Sequence, residues 1–302
     1  MKIKGRFIKR INRFTVLVEV NKRKEMAYLP NSGRLKEILK EKNEVLLFKK
    51  EKGLPYKILG VKNQNIWIGV DSHYVNDFFE KLILKNKIPF LKGFKIEGKD
   101  KKIDGLKIDF VLKNNKRKIF CEIKSCTLLI NKIAAFPDAP TERGVKHIDL
   151  LIRKKKEGYD SMIVFIIQRE DAENFAPNSL THFEFSKKVY EALLNGVKVY
   201  SIFTKFKNGS LIFKNYKKLD IFEILKNEYH LWRAPEVIIE KIKKIKDKIY
   251  IEMKGTTCLY CSFEENLFDF LNFSSERGIN FKVEKIWSYV GRLRAILKIF
   301  KK

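Results

Sequence analysis

The chain has 302 residues, enough for about two domains and a third small one. Its 64 Lys and Arg against 36 Asp and Glu leave +28 at pH 7, a surplus that favours a polyanionic partner through counterion release. A compositional drift toward Lys and Ile is the competing source of that charge. The longest strongly apolar run, Met162–Ile167, is far too short for a membrane span, and the start at Met1–Lys4 has no apolar export segment. Four cysteines argue against a disulfide framework, so a cytoplasmic protein is expected.

Residues 1–68 hold 18 Lys and Arg against 6 Asp and Glu, the densest positive charge in the chain. Short β-like runs at Arg6–Arg10, Thr15–Val20, Glu25–Leu29, Val45–Lys49 and Tyr56–Lys62, with a helix over Gly33–Leu39, predict an OB-like barrel. Such barrels commonly bind nucleic acid on one face, and Arg6, Lys9, Arg10 and Arg13 are the candidate contacts. Leu29–Arg34 reads as a turn in which Arg34 and exposed amides could hold a phosphate, or as a purely structural turn.

From about Asp71 the pattern changes. Helical spacing over Asn76–Lys85 is followed by strand-like runs at Phe94–Glu97, Lys107–Leu112 and Lys118–Lys124. Helices over Thr141–Lys156 and Phe183–Leu194 then alternate with strands over Ser161–Ile167 and Val197–Thr204. This order predicts a mixed sheet flanked by helices over residues 69–215. Residues 216–302 form a small α+β extension, with a Lys-rich helix over Ile238–Lys248, a strand over Lys248–Met253, a helix over Phe263–Phe273 and one or two strands over Asn280–Ile299. Its role is not legible.

The chemistry gathers at the Lys107–Lys124 hairpin. Glu122 and Lys124, two apart, share one face of a strand, while Cys121 and Ile123 turn to the core. If Lys113 pairs with Lys118, Asp109 falls directly opposite Glu122. Two carboxylates so placed repel unless a cation compensates. Lys124 supplies part of that charge and a bound Mg²⁺ the rest, because Mg²⁺ takes a few carboxylates with water and phosphate oxygens. The set Asp109, Glu122 and Lys124 thus fits metal-assisted phosphodiester hydrolysis, with Lys124 orienting water or stabilising phosphoryl charge. A surface ion-pair cluster accounts for the same triplet about as well.

Lys107 on the hairpin, and Arg143, Lys146 and His147 at the next helix start, are candidate phosphate contacts. There Pro140 suits a first turn, Thr141 a cap, and Gly144 a close backbone approach. A solvated helix face with a Glu142–Lys146 pair is the alternative. In the extension, Trp287, Tyr289, Arg292 and Arg294 fit either a stacking and phosphate surface or a small core. The lone Cys258-x-x-Cys261 is too few ligands for structural zinc. His73, His182 and His230 fall in no catalytic pattern, and phosphate-binding glycine loops are absent.

Four ordered blocks resemble the sugar fermentation stimulation protein (SfsA) family over about residues 1–213: Leu29-Pro30-Asn31-Ser32-Gly33, Lys107-Ile108-Asp109-Phe110, Cys121-Glu122-Ile123-Lys124-Ser125 and Phe136-Pro137-Asp138-Ala139-Pro140-Thr141-Glu142-Arg143-Gly144. The resemblance implies DNA binding, an OB-like N-terminal domain and a PD-(D/E)XK nuclease-like domain. It implies Asp109 and Glu122 as metal ligands and Lys124 as catalytic lysine. Lys107 stands where the family usually has arginine, which removes a bidentate phosphate contact. Double-stranded DNA is the expected partner. A non-enzymatic DNA-binding transcriptional regulator, an RNA or structure-specific nuclease and a basic adaptor are the rivals. No residue decides between monomer and homodimer.

Overall fold

The computed structural model describes residues 1–232, 237–255, 263–289 and 292–300. The first six strands are β1 (Lys2–Asn12), β2 (Thr15–Val20), β3 (Arg23–Tyr28), β4 (Glu44–Lys49), β5 (Tyr56–Asn63) and β6 (Ile66–Gly69). Neighbours run β3-β2-β1-β4-β5, and a short parallel pairing of Ala27 with Tyr56 closes β3 onto β5. Closure leaves this five-stranded OB barrel without free edges. Alternating Val16, Val18 and Val20, with Leu47, Ile58 and Val61, fill its interior.

The expected helix over Gly33–Leu39 is absent; residues 36–38 make one turn. Leu35 has φ +53°, which interrupts a right-handed helix. Tertiary partners claim the backbone there. The Leu35 amide donates to the Asp138 carboxylate at 2.6 Å, and Arg10 takes the carbonyls of Asn31, Gly33 and Arg34.

The central domain comprises α1 (Tyr74–Leu84), β7 (Lys95–Ile103), β8 (Leu106–Lys113), β9 (Lys118–Cys126), β10 (Leu128–Ile130), β11 (Ile133–Phe136), α2 (Glu142–Lys156), β12 (Asp160–Ile167), β13 (Asn174–Pro177), α3 (Phe183–Leu194), β14 (Lys198–Lys207) and β15 (Ser210–Lys218). Its main sheet runs β15-β14-β12-β9-β8-β7. β12 lies parallel to both neighbours and is apolar on both faces, as a strand covered on both sides must be. α1 covers one face, and α2 and α3 the other. The small β10-β11-β13 sheet was not anticipated, since three- and four-residue strands carry too little alternation to read. The expected boundaries at 68/69 and 215/216 fall inside β6 and β15.

Barrel and central domain are keyed together. A Cβ at Gly60 would collide with the Phe206 ring of β14, and the Gly69 amide donates to the Gln168 carbonyl at 2.9 Å.

The extension contains α4 (Ile221–Trp232), β16 (Val237–Ile245), β17 (Lys248–Gly255), α5 (Phe263–Glu276), β18 (Asn280–Tyr289) and β19 (Arg292–Phe300), with sheet order β16-β17-β19-β18. The helix expected over Ile238–Lys248 is the strand β16. A bulge between Ile239 and Lys241 shifts the alternation, so isoleucines 239, 242 and 245 mimic helical spacing. Cys258 and Cys261 lie outside the described residues. A fully buried cluster joins the extension to the central domain. Glu228 of α4 accepts from Ser179, from Ser186 at 2.7 Å, from Tyr190 at 2.5 Å and from Arg277 at 3.1 Å. Among the described residues no helix is long and apolar enough to cross a membrane.

Candidate metal and nucleic-acid site

The β8–β9 hairpin has the register expected from its loop, pairing Lys113 with Lys118 through to Phe110 with Cys121. The ladder stops there, one pair short of Asp109 and Glu122. The Ile123 amide is taken instead by Asp109 Oδ2 at 2.8 Å, while Oδ1 accepts from Asn76 of α1 at 2.9 Å. Asp109 is thus held from two elements at the point where β8 leaves β9.

Glu122 is 2% exposed. Its Oε1 accepts from Lys124 Nζ at 2.5 Å and meets the Nδ1 edge of the buried His147 ring. Its Oε2 is buried and has no hydrogen-bond partner. Burial works against charge on Glu122, but Lys124 and His147 outweigh it and hold the carboxyl below its usual range. Asp109 goes the other way: burial, then the charge of Glu122, push it up to about 6 against Lys124, Ile123 and Asn76.

These groups line a cleft of about 600 Å³, roofed by the barrel residues Asn31–Gly33 and walled by Phe136–Thr141. Arg13, Lys107 and Arg143 reach it from three sides, together with Lys99, which the sequence did not single out. Thr141 caps α2 by accepting the Gly144 amide at 3.1 Å, as expected. The close approach at Gly144 is to Thr141 itself and to the Phe185 ring of α3, so it serves helix packing.

Several candidates sit elsewhere. Arg10 is a correction. Its Nε donates to Asn12, one terminal nitrogen to Gly33 and Arg34, and the other to Arg13 and Asn31, all at backbone carbonyls. A guanidinium has five N–H groups, so none remains for phosphate. His147 lines the cleft but is buried against Glu122, with Arg143 Nε 3.3 Å from its other nitrogen. Lys146 and Arg34 are exposed but do not line the cleft. Arg6 lines a separate shallow concavity with Lys4 and Lys42, and Lys9 is exposed on the barrel. Glu142 pairs with His182 rather than with Lys146. Asn76 and Asp138 also line the cleft, though the sequence reads Asn76 only as a helix start and Asp138 only as part of a motif.

Among the described residues no group of three or more His, Cys, Asp and Glu is arranged to hold a metal. A cation here would rest on Asp109 and Glu122, completed by water and phosphate oxygens, the donor set that Mg²⁺ takes. The partnerless Glu122 Oε2 is the observation that fits such a cation.

Two family models match: the SfsA N-terminal OB domain over residues 8–70 and the sugar fermentation stimulation protein RE domain over residues 73–210. A sugar fermentation stimulation protein homolog from Methanosphaera stadtmanae is 38% identical over 227 residues, 72% of this chain and 94% of that protein. One from Caldanaerobacter subterraneus subsp. tengcongensis is 39% identical over 202 residues, 66% of this chain and 88% of that protein. The solved structure of Pyrococcus furiosus SfsA in complex with Ca²⁺ superposes with a TM-score of 0.69 at 28% identity, covering 73% of this chain and 96% of that one. Residues after 210 lie beyond both matched domains.

Proposed function

The chain belongs to the sugar fermentation stimulation protein family, and from that premise we propose that it binds double-stranded DNA across the cleft and hydrolyses a phosphodiester there with Mg²⁺, in the cytoplasm. The observation that carries this reading is the buried, partnerless Glu122 Oε2 beside Asp109. Leaving a buried carboxylate oxygen unsatisfied is costly, and a cation removes that cost. The Ca²⁺ in the Pyrococcus furiosus structure supports divalent binding in a relative.

When bound, a divalent cation supplies Lewis acidity toward a phosphoryl oxygen and the attacking water. The protein supplies the rest. Asp109 and Glu122 would hold the cation, Asn76 and the Ile123 amide fix the Asp109 carboxylate, and His147 fixes Glu122. Lys124, once Glu122 turns toward a cation, has its ammonium available to orient water or neutralise charge developing on phosphate. Arg13, Lys107 and Arg143 hold flanking phosphates, so binding weakens steeply with salt.

A second reading has its own observation. Lys124 already neutralises Glu122 and His147 meets the same oxygen without a metal, so the carboxylate is also stable in a non-cutting DNA-binding regulator. The test is Mg²⁺-dependent cleavage of single-stranded, duplex and branched DNA and RNA by wild type and Asp109→Asn. Duplex DNA cut by wild type, with a drop of about 100-fold or more in the variant and binding kept, supports hydrolysis. Equal, negligible cleavage by both with DNA binding intact favours the regulator. Cleavage confined to RNA or to branched DNA would replace the duplex substrate.

A further inference from the structure

Among the described residues, the extension's sheet is covered on one side only. Ile249, Ile251 and Met253 of β17 and Leu293, Ala295 and Leu297 of β19 are buried in the core shared with α4 and α5. The alternate residues face the other way, where Lys243, Lys282 and Lys298 are exposed and Tyr250 and Ile296 half-buried. Register aligns them in rows across the four strands. The middle row is Lys243, Tyr250, Ile296 and Lys285, from one edge strand to the other. The flanking rows carry Lys241, Glu252 and Arg294 on one side, and Lys248, Lys298 and Lys282 on the other.

This face has an apolar, aromatic centre and basic margins. Tyr250 and Ile296 sit on the two central strands, half-buried, with lysines at both edges. The Lys241, Arg294 and Lys298 side chains are 64%, 47% and 51% exposed. Carboxylates pair with part of this charge: Glu252, 11% exposed, meets Arg294 at 3.0 Å, Glu284 meets Lys248 at 3.1 Å and Asp247 meets Lys298 at 3.5 Å, so the surplus rests chiefly on the exposed Lys243 and Lys282. The backbone register also places Trp287 opposite Arg294 and Tyr289 opposite Arg292.

We propose that this open face docks single-stranded DNA, a contact beyond the cleft reading and outside both matched domains. The charge selects a polyanion. The sheet selects a single strand: an aromatic ring on a four-stranded face can stack an unpaired base while lysines track the backbone. A duplex keeps its bases turned inward, away from such a ring. The choice of DNA over RNA rests on the proposed substrate of the cleft; the choice of a single strand does not.

The experiment uses the full chain carrying Asp109→Asn, so that cleavage cannot confuse binding, with a labelled 15-residue thymidine oligonucleotide and a 15-base-pair duplex as probes. Tyr250→Leu, which keeps an apolar side chain, is expected to weaken oligonucleotide binding roughly 5- to 150-fold, the range for one stacked base. Lys243→Glu with Lys282→Glu, both at exposed positions, is expected to weaken it at least about tenfold. Both variants should keep the duplex affinity and the urea midpoint of the parent, which also reports that they fold. Unchanged oligonucleotide binding in both overturns the proposal, as does an equal loss for the duplex. Tenfold tighter binding of a uridine oligonucleotide overturns the assignment to DNA. Loss of binding to phosphatidylserine vesicles, with oligonucleotide affinity unchanged, would replace nucleic acid with a membrane surface. None of these outcomes depends on whether the cleft cuts.

Discussion

Two buried glutamates divide the molecule's chemistry between them. Glu228, where the extension meets the central domain, is fully enclosed and accepts hydrogen bonds at both oxygens, from three hydroxyls and a guanidinium. Glu122, in the cleft, is nearly as buried, yet only its Oε1 is engaged. Fully satisfied, a buried charge rigidifies a junction; half satisfied, it leaves an oxygen that the proposed cation could occupy. The number of donors, rather than depth, separates the two carboxylates.

The contrast can be broken first at the junction. Arg277→Leu leaves Glu228 without its cation and should cost about 3–5 kcal/mol in urea unfolding, because an uncompensated buried charge remains. A loss below about 1 kcal/mol would show that the cluster is not what anchors the extension.

The next effect is a pH dependence at the cleft. The folded state raises Asp109 from the usual 3.8 to about 6, so its ionisation is harder in the native protein than in the unfolded chain. Its contribution is fully present below about pH 4 and is lost as pH rises through about 6, up to about 3 kcal/mol in all. Metal-free wild type should lose this stability relative to Asp109→Asn over that window. A constant difference between the two from pH 4 to pH 7 would contradict the environment described for Asp109.

The smallest effect sharpens the comparison. Divalent cation at about 100 times its dissociation constant should stabilise wild type by about 2.7 kcal/mol. In Glu122→Gln that gain should fall below about 1 kcal/mol, measured by thermal unfolding with and without Mg²⁺ at pH 7. Equal stabilisation of both proteins would place the cation elsewhere.

How much of this was legible in the sequence depended on whether the informative contact was local. The four-residue loop at Asn114–Arg117 set the parity of two strands, so the juxtaposition of Asp109 and Glu122 could be worked out by counting. The i, i+2 rule put Lys124 beside Glu122. His147 could not be placed that way, because its position depends on α2 returning across the sheet, twenty-five residues after Glu122. Arg10 looked like a phosphate ligand because charge is visible in a sequence and a ring of carbonyls is not. The strand β16 was misread for a different reason: one extra residue in a bulge turned a two-residue period into a helical one. In each case the miss came from geometry contributed by a distant segment or an irregular residue.

The Phe206 ring seated against Gly60 has a consequence for how the cleft meets its substrate. With the Asp138 carboxylate also holding Leu35, the barrel is fixed to the central domain and does not act as a jaw. If duplex DNA is the occupant, as proposed, an opening tied at these two places would leave the distortion needed to fit to the DNA. Sequences that deform easily, such as those with pyrimidine–purine steps, would then be favoured at positions no side chain touches.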